Sequence, residues 1–175
     1  MKFFQSLISL PLLFVALVGA SPLEGYGLTE RATNPTIVLV PGAWHSPVHY
    51  ALLIAALKAK KYDVVTDRLP SVGSSTPQAQ SVKVDSAYIK NKLLLPSINA
   101  GKDVLLLMHS YGGCPGADAA KGLSKIERKA AGQKGGIIGL VFMCAFVAHE
   151  GDSLKSTLPG GVYNSWVSVN NVSAF

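Results

Sequence analysis

The sequence predicts an α/β fold, a parallel sheet with flanking helices. Three observations predict it. Short, continuous apolar runs recur at 36–40, 63–66, 103–108 and within 136–147. Stretches with apolar residues at helical spacing separate them. A serine stands where the third run passes straight into a helix. Apolar runs without alternation suit strands buried on both faces. Strands joined by helical crossovers imply right-handed connections in one parallel sheet.

Taken in order, residues 36–40 (TIVLV) form the first strand. Residues 47–60 read as a helix whose closing lysines complement its C-terminus. Residues 63–66 (DVVT) are a second strand, and 69–76 a loop marked by Pro70, Gly73 and serines. Residues 82–95 read as a helix closed by Pro96. Residues 103–108 (DVLLLM) are the third strand, 112–129 a helix opening on small residues, and 136–147 contain the fourth strand.

The chain of 175 residues is 49% hydrophobic and 15% charged, with 17 Gly and 10 Pro. That is too apolar for disorder and too rich in charge and turn residues for a membrane bundle. No period of solenoid length appears. The expected body is one soluble globular domain. The net charge of +6 gathers at Lys58, Lys60 and Lys61 and at Lys121, Lys125, Arg128, Lys129 and Lys134. No aromatic residue interleaves with them, so they read as solvated helix faces and exits, with no nucleic-acid partner.

The N-terminus reads as an address. Met1-Lys2 is basic, 3–18 is almost wholly apolar, and Val18-Gly19-Ala20 offers small residues to a signal peptidase. The apolar core is too short and broken for a spanning helix. Residues 1–20 are therefore expected to be a secretory signal, cleaved after Ala20, with secretion and no stable membrane span to follow. Residues 21–35 read as a linker or pro-segment, with Glu30-Arg31 a weak processing site. Secretion permits a Cys114–Cys144 disulfide, but Cys144 falls in an apolar strand and Cys114 at a helix start. Free, buried cysteines are expected.

The chemistry concentrates at Leu107-Met108-His109-Ser110-Tyr111-Gly112-Gly113. A strand running directly into a helix forces the serine at the turn into a strained backbone conformation and lifts its hydroxyl above the sheet. The residues two before and two after such a serine are normally small. Gly112 conforms and Met108 departs; if Met108 crowds the turn, Met108→Gly should be equally or more reactive. The new helix points its first amides at the site. The first strand ends in Pro41-Gly42-Ala43-Trp44-His45, and ligands of parallel sheets collect at such carboxyl ends. Ser110 is the expected nucleophile. The backbone N–H groups of Ala43 and Tyr111 are the expected oxyanion hole, and Trp44 and His45 are candidate pocket residues.

These segments together, strand–PGAWH–helix, strand–HSYGG–helix and strand–FMCAFV–HEGDSL, resemble the α/β-hydrolase fold family. Within it they are most similar to the branch of small plant and fungal esterases and hydroxynitrile-lyase-like proteins. The resemblance covers about 34–163. It implies a serine nucleophile, a histidine base, an orienting carboxylate, small ester substrates, and neither metal nor organic cofactor. In the family's order the acid and base follow strands beyond the fourth. The domain at 36–163 is therefore expected to be incomplete and the chain truncated at its C-terminal side. His109 is expected to be an elbow residue with its side chain turned from Ser110, His49 a helix-face residue, and His149, near Glu150 and Asp152, a minor candidate for the base. Residues 164–175 read as an irregular tail. From about Val167 it could stem from retained intron, and Asn171-Val172-Ser173 is a glycosylation sequon. The expected function is that of a secreted serine carboxylesterase of small esters. The alternatives are an inactive hydrolase-like product, or a lyase on the same scaffold with the serine as proton relay.

Overall fold

A computed structural model describes residues 34–163 and Ser165. The expected signal at 1–20, the expected linker up to residue 33 with Glu30-Arg31, and the expected tail apart from Ser165, with its sequon, lie outside the described residues. The sheet has four parallel strands in the order β2-β1-β3-β4. They are β1 (Thr36–Val40), β2 (Val64–Thr66), β3 (Asp103–His109) and β4 (Gly136–Met143). The helices are α1 (Ala51–Ala59), α2 (Val82–Tyr88), α3 (Leu95–Asn99), α4 (Gly113–Ala120) and α5 (Lys125–Ala130).

β1 is central and buried at every residue, as its unbroken apolar run requires. The chain moves one way from β1 to β2 and the other way from β2 to β3 and from β3 to β4. Right-handed crossovers therefore place α1 on one face of the sheet and α2 to α5 on the other. The main core lies on the second face. Val38 and Val40 of β1 and Val104, Leu106 and Met108 of β3 pack there with Ile89, Leu93, Leu94, Ile98, Ala119 and Leu123. Opposite, α1 buries none of its residues.

Four boundaries differ from the sequence expectation. The helix from Val82 passes through Pro96 and ends at Asn99. A π-helical segment, Ile89–Leu94, precedes the proline, and the Leu95 N–H bonds back to Lys90 O. The widened turn takes up the proline's missing N–H and its ring. The helix expected at 112–129 is two helices. Gly122 at φ +76° ends the first, and Ser124 caps the second through a reciprocal bond with Glu127. The helix expected from 47 opens as a 3₁₀ turn, Pro47–Tyr50. The fourth strand stops at Met143, and Cys144 follows at φ +46°.

Two side-chain expectations also change. Arg128 is buried, not solvated. Its guanidinium donates to Gly135 O, Lys134 O and Asn99 Oδ1. Cys114 and Cys144 are both free, as expected, but Cys144 is exposed because the strand has already ended. No described helix is long and apolar enough to cross a membrane.

Candidate active site

Ser110 sits at the end of β3, where a 3₁₀ turn (Ser110–Gly112) leads into α4. Its φ of +51° is the left-handed region that a side chain avoids at a cost of about 1–2 kcal/mol. Dense packing enforces it. A Cβ on Gly112 would lie 2.6 Å from Pro41 O, and one on Gly113 would lie 2.2 Å from Phe146 O. The Phe146 N–H donates to Ser110 O at 3.0 Å, which ties the exit of β4 to the elbow. Only glycines allow the exits of β1 and β4 to come this close.

Met108 is fully buried and does not crowd the turn. Its side chain fills the space over Gly116, where a Cβ would come within 2.7 Å of Sδ. The small residue that the elbow requires lies one helical turn into α4, not two before the serine. The condition under which Met108→Gly would be equally or more reactive, crowding of the turn, is therefore not met. That variant would empty a filled core position.

The loop after β1 meets the elbow directly. A Cβ on Gly42 would stand 3.0 Å from Ser110 Cβ and 2.8 Å from His109 Nδ1. Residues 42–45 form a turn closed by His45 N–H to Gly42 O at 3.2 Å, with Trp44 at φ +60°. The two polar groups of a trans peptide point opposite ways. With Gly42 O drawn into the turn, the Ala43 N–H points out of it, and it has no acceptor among the described residues. The Tyr111 N–H lies in the first turn of its helix, where amides lack intrahelical acceptors. Ser110, Ala43 and Tyr111 are thus gathered at one end of the sheet.

The histidines divide. His45 Nδ1 donates to Ala43 O at 2.6 Å, which fixes that ring beside the turn. Trp44 is 68% exposed beside it. His49 is exposed on the 3₁₀ turn, and its Nδ1 accepts from Ser46 N–H. His109 turns to Tyr50, with Nδ1 2.7 Å from Oη, and burial followed by the neighbouring His45 lowers its pKa. His149 is exposed, and its N–H bonds Asp152 within its own loop. Among the described residues, no side chain hydrogen-bonds Ser110 Oγ.

Two participants escaped the sequence reading. Tyr50 Oη accepts from Gly42 N–H at 3.0 Å while touching His109. Behind the elbow, the Tyr111 hydroxyl donates to Asp85 Oδ2 at 2.8 Å. Asp85 is fully buried on α2, and Ser71 N–H and Oγ supply its other donors at 3.0 and 2.6 Å. Burial, then the Asp85 charge, pushes the Tyr111 phenol well above its ordinary pKa, so it stays a donor.

This arrangement is a strand-to-helix turn carrying a serine, with the loop after β1 packed beside it, on a parallel α/β sheet. The chain belongs to the alpha/beta hydrolase family, whose model matches residues 37–170. It is 35% identical over 125 residues to the alpha/beta hydrolase nvfD of Aspergillus novofumigatus, an alignment covering 71% of this chain and 48% of that protein. It is 31% identical over 122 residues to a carbendazim hydrolyzing esterase of Nocardioides, covering 70% and 46%. An extracellular alpha/beta-hydrolase from a Paenibacillus species shares the fold with a TM-score of 0.56 at 20% identity, over 71% of this chain and 46% of that one. The chain spans about half the length of the curated relatives it matches.

Proposed function

We propose that this chain carries the nucleophile and oxyanion half of a secreted serine carboxylesterase acting on small esters. The observation that carries the reading is Ser110 at φ +51° on a strand-to-helix turn, packed against the loop that presents the Ala43 amide. Ser110 Oγ attacks the ester carbonyl carbon, and its proton passes to a base. The carbonyl oxygen becomes an oxyanion that takes hydrogen bonds from the Ala43 and Tyr111 N–H groups. Collapse of the tetrahedral intermediate expels the alcohol, and water then releases the acid. Such amide donors are each worth about 10²–10³ in rate. Both neighbouring histidines are engaged at Nδ1, His45 by a carbonyl and His109 by Tyr50. The family resemblance places the base and its carboxylate after strands beyond the fourth, and among the described residues no side chain hydrogen-bonds Ser110 Oγ, so both are assigned to the part of the family's fold that this chain does not span. The esterase among its relatives supports ester chemistry, and the basic, apolar, small-residue leader supports export.

The test is covalent labelling. A fluorophosphonate should modify Ser110, read by peptide mass, and Ser110→Ala should remove the label and all ester hydrolysis above background. Undiminished labelling of the alanine variant would move the nucleophile elsewhere. N-terminal sequencing of exported material should begin at Ser21, or near Ala32 after pro-segment removal. An intact Met1 on exported protein would overturn the export reading.

A further inference from the structure

The oxyanion loop is clamped from a side that has no part in the reaction steps above. Gly42 is held at both of its polar groups. Its carbonyl accepts the His45 N–H, and its own N–H donates to Tyr50 Oη. Gly42 N–H is thereby excluded as an oxyanion donor, and the Ala43 N–H is the group left pointing outward. Tyr50 is itself held. It is buried at the end of the 3₁₀ turn, and Oη lies 2.7 Å from His109 Nδ1. The same Nδ1 lies 2.8 Å from where a Gly42 Cβ would be. Three segments, the loop after β1, the turn before α1 and the last residue of β3, meet at one phenol oxygen.

The hydrogens can be assigned by elimination. A phenol carries one proton. The Gly42 amide can only donate, so Oη accepts from it. Among the described residues the phenol proton has no acceptor besides His109 Nδ1, so the assignment that satisfies both groups leaves that nitrogen unprotonated and the ring neutral with its hydrogen on Nε2. The groups facing this ring fit the assignment. His45 stands 5.3 Å away between ring centroids and Tyr50 5.6 Å, with His49 beyond, 5.0 Å from His45. None is an anion that would favour imidazolium. Burial holds the Tyr50 phenol above its ordinary pKa, so it keeps its proton.

We propose that Tyr50 and His109 are positioning residues. The chain Gly42 N–H to Tyr50 Oη, and Tyr50 O–H to His109 Nδ1, fixes the peptide whose N–H receives the oxyanion, and locks it to the strand that carries Ser110. His109 thus acts through the oxyanion loop and not as a base. The kinetic consequence rests on the hydrolase reading. The hydrogen-bond chain itself does not.

The experiment uses the full chain and its Tyr50→Phe variant, which keeps the ring and deletes both bonds. Long-range ¹H–¹⁵N spectra read the His109 tautomer and titration, amide exchange reads Gly42, and phosphonylation of Ser110 reads the oxyanion hole. In the parent, His109 should be the Nε2–H tautomer near pH 7. In Tyr50→Phe, its titration midpoint should rise, Gly42 exchange should quicken about five- to tenfold, as loss of one hydrogen bond implies, and phosphonylation should slow by a similar factor. His109→Asn, which keeps an acceptor near Nδ1, should preserve Gly42 protection, and His109→Leu should not. An Nδ1–H tautomer in the parent overturns the proposal even if Tyr50→Phe fails to fold. So does unchanged Gly42 exchange in a folded variant. A parent that phosphonates never label refutes the hydrolase reading instead, and the tautomer and exchange still decide the clamp.

Discussion

On the face that carries α2 to α5, Val104, Leu106 and Met108 of β3 are wholly buried, whereas on the opposite face Leu105 and Leu107 of the same strand stay partly exposed. Both sets are equally apolar in sequence. The difference lies in what covers them. The first face has a continuous helical layer from Val82 to Asn99 with α4 beside it. The second has α1, displaced toward β2, with Leu52 89% and Val48 just before it 73% exposed. Along this face the cover fails progressively. Ile37 and Leu39 are buried at β1, Leu105 and Leu107 half-buried at β3, and Val141 exposed at β4. The elbow is braced from the sealed side, through Met108 over Gly116 and Asp85 behind Tyr111. The serine turn is therefore braced from the half of the core that is closed, whereas the loop after β1 is held from the other side by Tyr50 and His109.

The largest expected effects test that contrast directly. Met108→Gly should destabilise the chain by about 3–5 kcal/mol, combining a buried large-to-small loss with glycine's backbone entropy. Leu105→Ala, three residues away on the open face, should cost about 1–2 kcal/mol, because a half-buried side chain gives up less contact. Urea midpoints at constant slope measure both. Equal losses would mean that the two faces are equally closed in solution.

How much of this was legible follows from the range over which each signal acts. The strands were legible because a buried parallel strand is an unbroken apolar run. The elbow was legible because a strand, a serine and two glycines are contiguous. The break at Gly122 was present as a capping pattern, Ser124 to Glu127, inside what otherwise read as one helix. The passage through Pro96 was not visible, since a π turn depends on tertiary packing. Nor was the accommodation of Met108, which depends on the register of α4 against β3 and therefore on Gly116. Tyr50 and Asp85 lie 59 and 26 residues from their partners His109 and Tyr111, beyond the reach of any local pattern.

A middling effect is expected from the open face as a surface. Val48, Leu52 and Val141 expose apolar area, and beyond a single bridge from Ile137 to Ser124 the outer edge of β4 pairs with no strand among the described residues. Unpaired strand edges and large apolar patches promote association. The chain from residue 21 to 175, expressed by itself, should bind a hydrophobic dye, self-associate in sedimentation and be nearly inactive toward esters. Leu52→Lys with Val141→Lys should lower dye binding and association together, while a lysine pair on exposed polar positions should not. A monomer without dye binding would show that the face is covered.

The smallest effect concerns the carboxyl end of β3, where the open face is closed over His109. His109 projects to the same side as Leu105 and Leu107, yet Tyr50, Gly42 and His45 enclose it. Burial, then His45, holds its pKa below the ordinary histidine value of about 6.5. The sign follows from linkage. Above about pH 6.5 the ring is neutral in both folded and unfolded chains, so its titration adds no pH dependence. As pH falls through that value, the unfolded chain takes up a proton that the folded chain still refuses, so stability declines. The decline ends once pH passes below the folded pKa. Urea midpoints between pH 7.5 and 5 should therefore fall for the parent, and the fall should be shallower for His109→Asn, which cannot titrate. Tyr50→Phe should also flatten it, because loosening the enclosure lets the folded ring accept its proton nearer the ordinary pH. Identical slopes in all three proteins would place His109 in contact with water and leave the open face without its seal.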